Sequence, residues 1–229
     1  MKPFYFFHIP KTSGRFFVAN VVLVLENELL ANGIQYGPIL KGFGHRSFRP
    51  VDTEDILSLT FLREPVARTV SHYLHIYNNF LTDDITAEKI KFLDFLQNNL
   101  DRGIINYQTK YIAYSGDREI IDIDESDFIT KITQQDLALV QTRLSKVNYV
   151  FDVENQSYEL TKKFVKILYT HFDITPTTAL DRINPQFPPI INPQSKILLD
   201  SLDATEVQMV QDIMSIDMNL YSTAQFTSF

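Results

Sequence analysis

The chain has 229 residues, is 45% hydrophobic and carries a formal net charge of -7; that length suits a single domain spanning residues 1–229 with a substantial core. There are no cysteines, which excludes disulfides, zinc-thiolate sites and cysteine nucleophiles and fits a reducing compartment. The acidic balance argues against a general nucleic-acid binder, which usually carries a basic surface, but it is compatible with a local basic pocket for one small anion.

The N-terminal "MKPFYFFHIP" has no small-residue cleavage site and does not read as a signal peptide. No apolar stretch approaches the ~20 residues that a transmembrane helix needs. Residues 4–8 read as a short buried strand, followed by a polar turn over residues 10–14. The apolar run 16–30 contains "NVVLVL", a strand by propensity alone, but its length and the "ENELLANG" ending predict a helix stopped at Gly33. Residues 57–63 read as a second strand. Pro65 then opens a helix with Val66, Val70, Tyr73, Leu74 and Tyr77 at helical spacing. Further helices are expected at 87–98, 104–113, 134–146, 156–170 and 204–221, a third strand at 148–153, and a loop over the Pro-rich "RINPQFPPIINPQ". Short apolar strands alternating with helices predict an α/β fold in three layers, with a mostly parallel sheet covered on both faces. Such sheets bind ligands at the carboxyl ends of their strands. Two of those ends are chemically loaded here: residues 10–15 and 63–71.

The first is "FHIPKTSGRFF", Phe7 to Phe17. An apolar run, a Gly-containing polar turn and a second apolar run are how phosphate-binding loops begin, but Lys11 precedes the glycine, so the Walker pattern is absent. A helix starting near Gly14 points free N–H groups and a positive dipole end at the turn. Thr12 and Ser13 add hydroxyls, Lys11 a point charge and Arg15 a second cation. The plainer alternative makes Thr12 or Ser13 a helix cap and Lys11 a solvated surface lysine. In the second, "FLREPVARTVSHY", Arg63 brings a forked set of donors to a strand end, and Ser71 lies about two turns into the following helix. A surface ion pair of Glu64 with Arg63 or Arg68 fits the same spacing. Of the five histidines, His8 reads as packing or orienting the loop, and His72, His75 and His171 as surface residues. His45 in "LKGFGHRSFRP" is surrounded by two glycines and three cations.

Together, "HIPKTSGRFF" and "LREPVARTVSHY" resemble the sulfotransferase superfamily, above all the Golgi carbohydrate O-sulfotransferases, such as the heparan sulfate 2-O- and 6-O-sulfotransferases, and their bacterial relatives. The family's L-R-D/E-P-V-x-R-x-x-S-x-Y is matched at Leu62, Arg63, Glu64, Pro65, Val66, Arg68, Ser71 and Tyr73. "NYQTKYIAYSGD" resembles the family's N-x-Q-T-x-x-L-x-G segment, and "VNYVFDVENQSYELTKKFVKIL" its strand-then-helix V-G-x-x-E stretch, so the likeness runs along most of the chain in the right order. It implies a P-loop NTPase-like core and 3′-phosphoadenosine 5′-phosphosulfate (PAPS) as donor, with no metal. Lys11 would contact the oxygen bridging phosphate and sulfonyl. Donors of Thr12, Ser13, Gly14, Arg15 and Phe16 would hold the 5′-phosphate, and Arg63 and Ser71 the 3′-phosphate. In the 2-O branch a G-H segment at this place in the order supplies the catalytic base, which implies His45; a carboxylate base, as in other branches, is the alternative. The chain departs from the family loop at Ser13, where Gly is usual, at Arg15, where Thr is usual, and at Phe16, where Ser or Thr is usual.

The function so implied is in-line transfer of a sulfonyl group from PAPS to a hydroxyl acceptor, a carbohydrate. Two readings of Arg46 and Arg49 stand open, as the lining of an acceptor site for an anionic sugar or as solvated surface cations; the late "DRINPQ" reads as a segment closing over the nucleotide, with Arg182 or Asn184 reaching a phosphate. The family's Golgi members carry a membrane anchor; this chain reads as a bare catalytic domain, bacterial and cytoplasmic. Two other readings stand beside it. A P-loop-like nucleotide kinase is disfavoured by the missing Walker pattern, and a non-catalytic nucleotide- or glycan-binding module is supported by the altered loop over residues 13–16.

Overall fold

The structure, a computed structural model, describes residues 3–35, 40–41, 56–77, 84–100, 104–113, 132–177 and 190–228. Strands β1 (Phe4–Phe7), β2 (Leu40–Lys41), β3 (Leu57–Leu62) and β4 (Tyr149–Asp152) form a parallel sheet in the order β2-β1-β3-β4. Phe4 of β1 stands opposite Leu40 of β2 and Leu57 of β3, and Leu62 of β3 stands opposite Asp152 of β4. β2 contributes only two residues, so three strands carry the sheet.

The strands are largely apolar because both faces are covered, and the buried hydroxyls of Ser58 and Thr60 in β3 are satisfied by Asn148 Oδ1 at 3.0 Å and the Phe7 carbonyl at 2.9 Å. Successive side chains alternate between those faces. Phe4, Phe6, Leu59, Phe61 and Phe151 pack on one side. There they meet α1 (Gly14–Phe17), a π-helical turn (Val18–Val22), α2 (Leu23–Ala31) and α7 (Tyr158–Phe172). Phe7, Leu62 and Val150 face the other way, onto α5 (Tyr107–Ala113), α6 (Gln134–Leu144) and α10 (Ser215–Thr223). The expected three-layer α/β arrangement is therefore present. Of the two readings of "NVVLVL", the helix wins. Buried Asn20 in the π turn donates to the Phe16 carbonyl at 3.1 Å, giving a backbone acceptor a partner where the hydrogen-bond ladder changes register.

A third apolar cluster joins α3 (Pro65–Ile76) to α4 (Ile85–Gln97), α8 (Pro193–Asp200) and α9 (Ala204–Ile213). Two expectations are corrected here. The end of the Pro-rich stretch starts a helix, α8: the Asn192 side chain accepts from the Gln194 N–H at 2.9 Å and Pro193 takes the first helical position, where its missing donor is harmless. The helix expected over 204–221 is broken at Met214, which separates α9 from α10. Val210 and Met214 lie in the α3 cluster, whereas Leu220 lies under the sheet, so one straight helix cannot serve both. The orphaned N–H groups of Ile216 and Asp217 are received by Asn106 Oδ1 at 3.1 and 3.0 Å. Among the described residues no helix is long and apolar enough to cross a membrane.

Candidate anion-binding site

The strand order creates the site. After β1 the chain adds β2 on one side, then returns to place β3 on the other. The connections diverge beyond the carboxyl ends of β1 and β3, the switch point at which sheets of this kind bind ligands. Residues 8–13 leave β1 at that point. Lys11 and Ser13 both adopt left-handed backbone, with φ of 68° and 61°, a conformation that non-glycine residues adopt only when their surroundings impose it. What imposes it is visible. Thr12 is fully buried and its hydroxyl donates to the Ile9 carbonyl at 2.7 Å; the Ser13 hydroxyl donates to the Ile190 carbonyl at 2.8 Å. Gly14 is required by its neighbour: a Cβ there would stand 1.7 Å from His8 Nε2, and the His8 ring is stacked on Phe6 at 5.2 Å.

These contacts revise the roles expected of the loop. The hydroxyl protons of Thr12 and Ser13 are engaged by backbone carbonyls, so these side chains shape the loop rather than offer protons to an anion. Ser13 is the N-cap residue of α1, but its side chain makes no capping bond to the first N–H groups of the helix. Phe16 is buried against Tyr158, ring centroids 5.4 Å apart, so only its backbone faces the loop. Arg15 is exposed and Lys11 half-buried. Burial, then the charges of Arg68, Arg63 and Arg15, push the Lys11 ammonium down to about 8.

The end of β3 supplies the second wall. Arg63 is buried; its Nε donates to Glu154 Oε1 at 3.1 Å, its Nη1 approaches the Lys11 carbonyl at 3.4 Å, and its backbone is clasped by the Gln108 amide. The clasp is double: Arg63 N donates to Gln108 Oε1 at 2.9 Å and Gln108 Nε2 donates to the Arg63 carbonyl at 2.8 Å. Glu64 does not pair with either arginine as a surface bridge. It caps α3, accepting from the Ala67 N–H at 2.7 Å, and burial raises its carboxyl above the ordinary range. Arg68 is fully buried, with its guanidinium carbon 3.9 Å above the Tyr107 ring. Ser71, further along α3, is buried too. His72 corrects the surface reading: it is buried, and burial followed by the charges of Arg68, Lys11 and His75 holds its imidazole down to about 2, neutral at any working pH.

The structure thus gathers Arg15, Arg63 and Arg68 close enough for their charges to act on Lys11, with Arg63 and Arg68 reaching the Lys11 and Pro10 carbonyls. Backbone dipoles and fixed cations in such an arrangement are chemically suited to a multiply charged oxyanion. His45, and with it Arg46, Arg49, Arg182 and Asn184, lies outside the described residues. Among the described residues no group of three or more His, Asp or Glu side chains is placed to hold a metal ion. Glu154, Gln108, Tyr107 and Asp217 were given no role from the sequence. Gln108 and Thr109 stand in the N-x-Q-T segment and Glu154 in the strand-then-helix stretch, which is the signal that marks them. Asp217 stands in no motif. Compared with known proteins, the chain matches no family model, no curated protein and no solved structure.

Proposed function

We propose that this chain is a PAPS-dependent O-sulfotransferase built on a P-loop NTPase-like core, with a carbohydrate hydroxyl as acceptor. The observation that carries the reading is the meeting of Lys11 and Arg63, one from each of the two motifs, at the β1/β3 switch point: Arg63 Nη1 lies 3.4 Å from the Lys11 carbonyl. A donor with phosphate at one end and phosphosulfate at the other needs two anion grips. In this reading Lys11 and the first N–H groups of α1 take the phosphosulfate, and Arg63 and Ser71 the 3′-phosphate. The acceptor oxygen attacks sulfur in line, the acceptor O–S bond forms, and the S–O bond to phosphate breaks with its electron pair passing to the phosphate oxygen. Lys11 stabilises that growing charge, an effect felt most in the transition state. His45 takes the acceptor proton, a task suited to an imidazole near neutrality.

Calorimetry with the desulfated donor, 3′-phosphoadenosine 5′-phosphate, tests the donor half. Binding is expected in the wild type and strongly weakened in Arg63→Ala; absent binding, or tighter binding of ATP, overturns the reading. Sulfate transfer to a panel of glycans and phenols, lost in Lys11→Ala and His45→Ala, tests the chemistry. One observation favours a second reading, a non-catalytic nucleotide- or glycan-binding module: the Thr12 and Ser13 hydroxyls are held by backbone carbonyls. Tight binding of the desulfated donor with no transfer to any acceptor would select it.

A further inference from the structure

Arg68 is the largest polar side chain buried in the described part of the protein, and no described carboxylate hydrogen-bonds to it, although Asp217 acts on it at a distance. Its Nε points at the Pro10 carbonyl oxygen, 3.4 Å away, and its two terminal nitrogens are buried with no hydrogen-bond partner. The carboxylates nearby are committed elsewhere. Glu64, on the same helix, caps Ala67; Glu154 receives Arg63; Asp217 receives the N–H groups of Gln108 and Thr109 and the Thr109 hydroxyl. The Tyr107 ring gives a cation–π contact on one face, which leaves the donors along the guanidinium edge unmatched. His72 adds no competing charge, and Lys11 and Arg63 add like charge. Burying a cation without a partner is among the costlier features a fold can carry. A buried, strongly perturbed group beside a strand-end loop is a candidate functional residue.

We infer that Arg68 is the inner positioning cation of the anion site: it holds the Pro10 carbonyl behind the left-handed turn at Lys11, and its missing counter-charge is the oxyanion bound on that turn. Burial pushes the guanidinium down to about 10; the charges of Tyr107 and Asp217 act against that shift and Arg63 adds to it, so the balance offered by the protein is partial. The ligand class is a phosphate- or sulfate-like group with at least two negative charges. The inference rests on the anion-binding part of the proposed function and not on sulfonyl transfer.

The test is thermal unfolding of the full chain in sodium pyrophosphate against sodium chloride of equal ionic strength. Pyrophosphate is expected to raise the melting temperature of the wild type. Arg68→Met, close in volume but uncharged, is expected to melt near the wild type in chloride, because the desolvation cost it relieves offsets the lost Pro10 hydrogen bond and Tyr107 ring contact. It should also lose the pyrophosphate shift, its affinity falling about tenfold or more. Arg68→Lys, which restores charge without the fork, should recover part of the shift. A wild type indifferent to pyrophosphate overturns the inference. So does an Arg68→Met chain that keeps the full shift. If pyrophosphate stabilises the wild type and 3′-phosphoadenosine 5′-phosphate does not, the sulfotransferase reading fails and this one stands.

Discussion

Two residues set the character of the loop, and each can be tested alone. Lys11 has a folded-state value of about 8 against an ordinary 10.5. Between those two values the unfolded chain holds the proton and the folded chain does not, so the contribution of Lys11 to stability rises as pH rises from about 8 toward 10.5. Below about 8 the charged ammonium opposes folding and favours an anion. Stability and binding therefore respond to pH in opposite senses. Calorimetry with the desulfated donor from about pH 7 to about pH 9.5 should show affinity falling as Lys11 loses its proton, and Lys11→Met should flatten the profile. Gly14 is the second such residue. In Gly14→Ala the new methyl meets the His8 ring at 1.7 Å, so the ring must leave its stack on Phe6. The expected cost is about 1–3 kcal/mol in urea unfolding, and a double-mutant cycle with His8→Ala should recover most of it.

Between elements, the N-x-Q-T segment acts as a latch. Gln108 clasps the backbone of Arg63, while Asn106 and Asp217 cap one another's elements: Asn106 Oδ1 receives the Asp217 N–H, and Asp217 receives those of Gln108 and Thr109 at 3.0 and 2.8 Å. The first turn of α10 is thereby tied, through α5, to the arginine at the end of β3. Asp217→Asn should expose the arrangement. One side-chain oxygen can still receive Thr109, but the amide nitrogen would then oppose the Gln108 N–H. Urea unfolding is expected to show a loss of about 2–4 kcal/mol, accompanied by weaker binding of the desulfated donor because Arg63 loses its anchor. This latch also shows what the sequence could tell. β1, β3, β4 and most helices are legible because their apolar periodicity is a local property of the chain. The pairing of residue 108 with residue 63, and of residue 217 with both 108 and 109, depends on chain reversal and leaves no periodic trace. Arg68 was legible as a motif position but not as a buried cation, since burial is decided by Tyr107 and Pro10, far from it in sequence. The start of α8 was hidden by the surrounding prolines, although Asn192 before Pro193 is a helix-start signal.

At the scale of the whole molecule, the sheet must end somewhere, and among the described residues β4 is its outermost strand on the side away from β2. An uncovered parallel edge presents unpaired N–H and C=O groups to other chains. Here residues 224–228 run along it: the Thr227 N–H donates to the Val150 carbonyl at 2.8 Å, and the Val150 N–H donates to the Thr227 hydroxyl at 3.1 Å. Phe226 packs edge-on against Tyr221, ring centroids 5.3 Å apart, while the Tyr221 hydroxyl donates to Asp152 Oδ1 at 2.6 Å, where β4 ends. A pocket of about 380 Å³, lined in part by Leu144, Val147, Val150 and Leu220, lies beneath the segment, so its removal would open the core to solvent as well as bare the edge. A chain ending at Ala224 is therefore expected to lose about 1–3 kcal/mol, two edge hydrogen bonds plus one aromatic contact, and to scatter light on heating at concentrations where the full chain stays clear. Its affinity for the desulfated donor should stay within about twofold, because Tyr221 remains to hold Asp152 and the Glu154–Arg63 pair is intact. If affinity falls along with stability, the edge and the anion site unfold as one unit; if only stability falls, the site at the β1/β3 switch point is held independently of the sheet's outer margin.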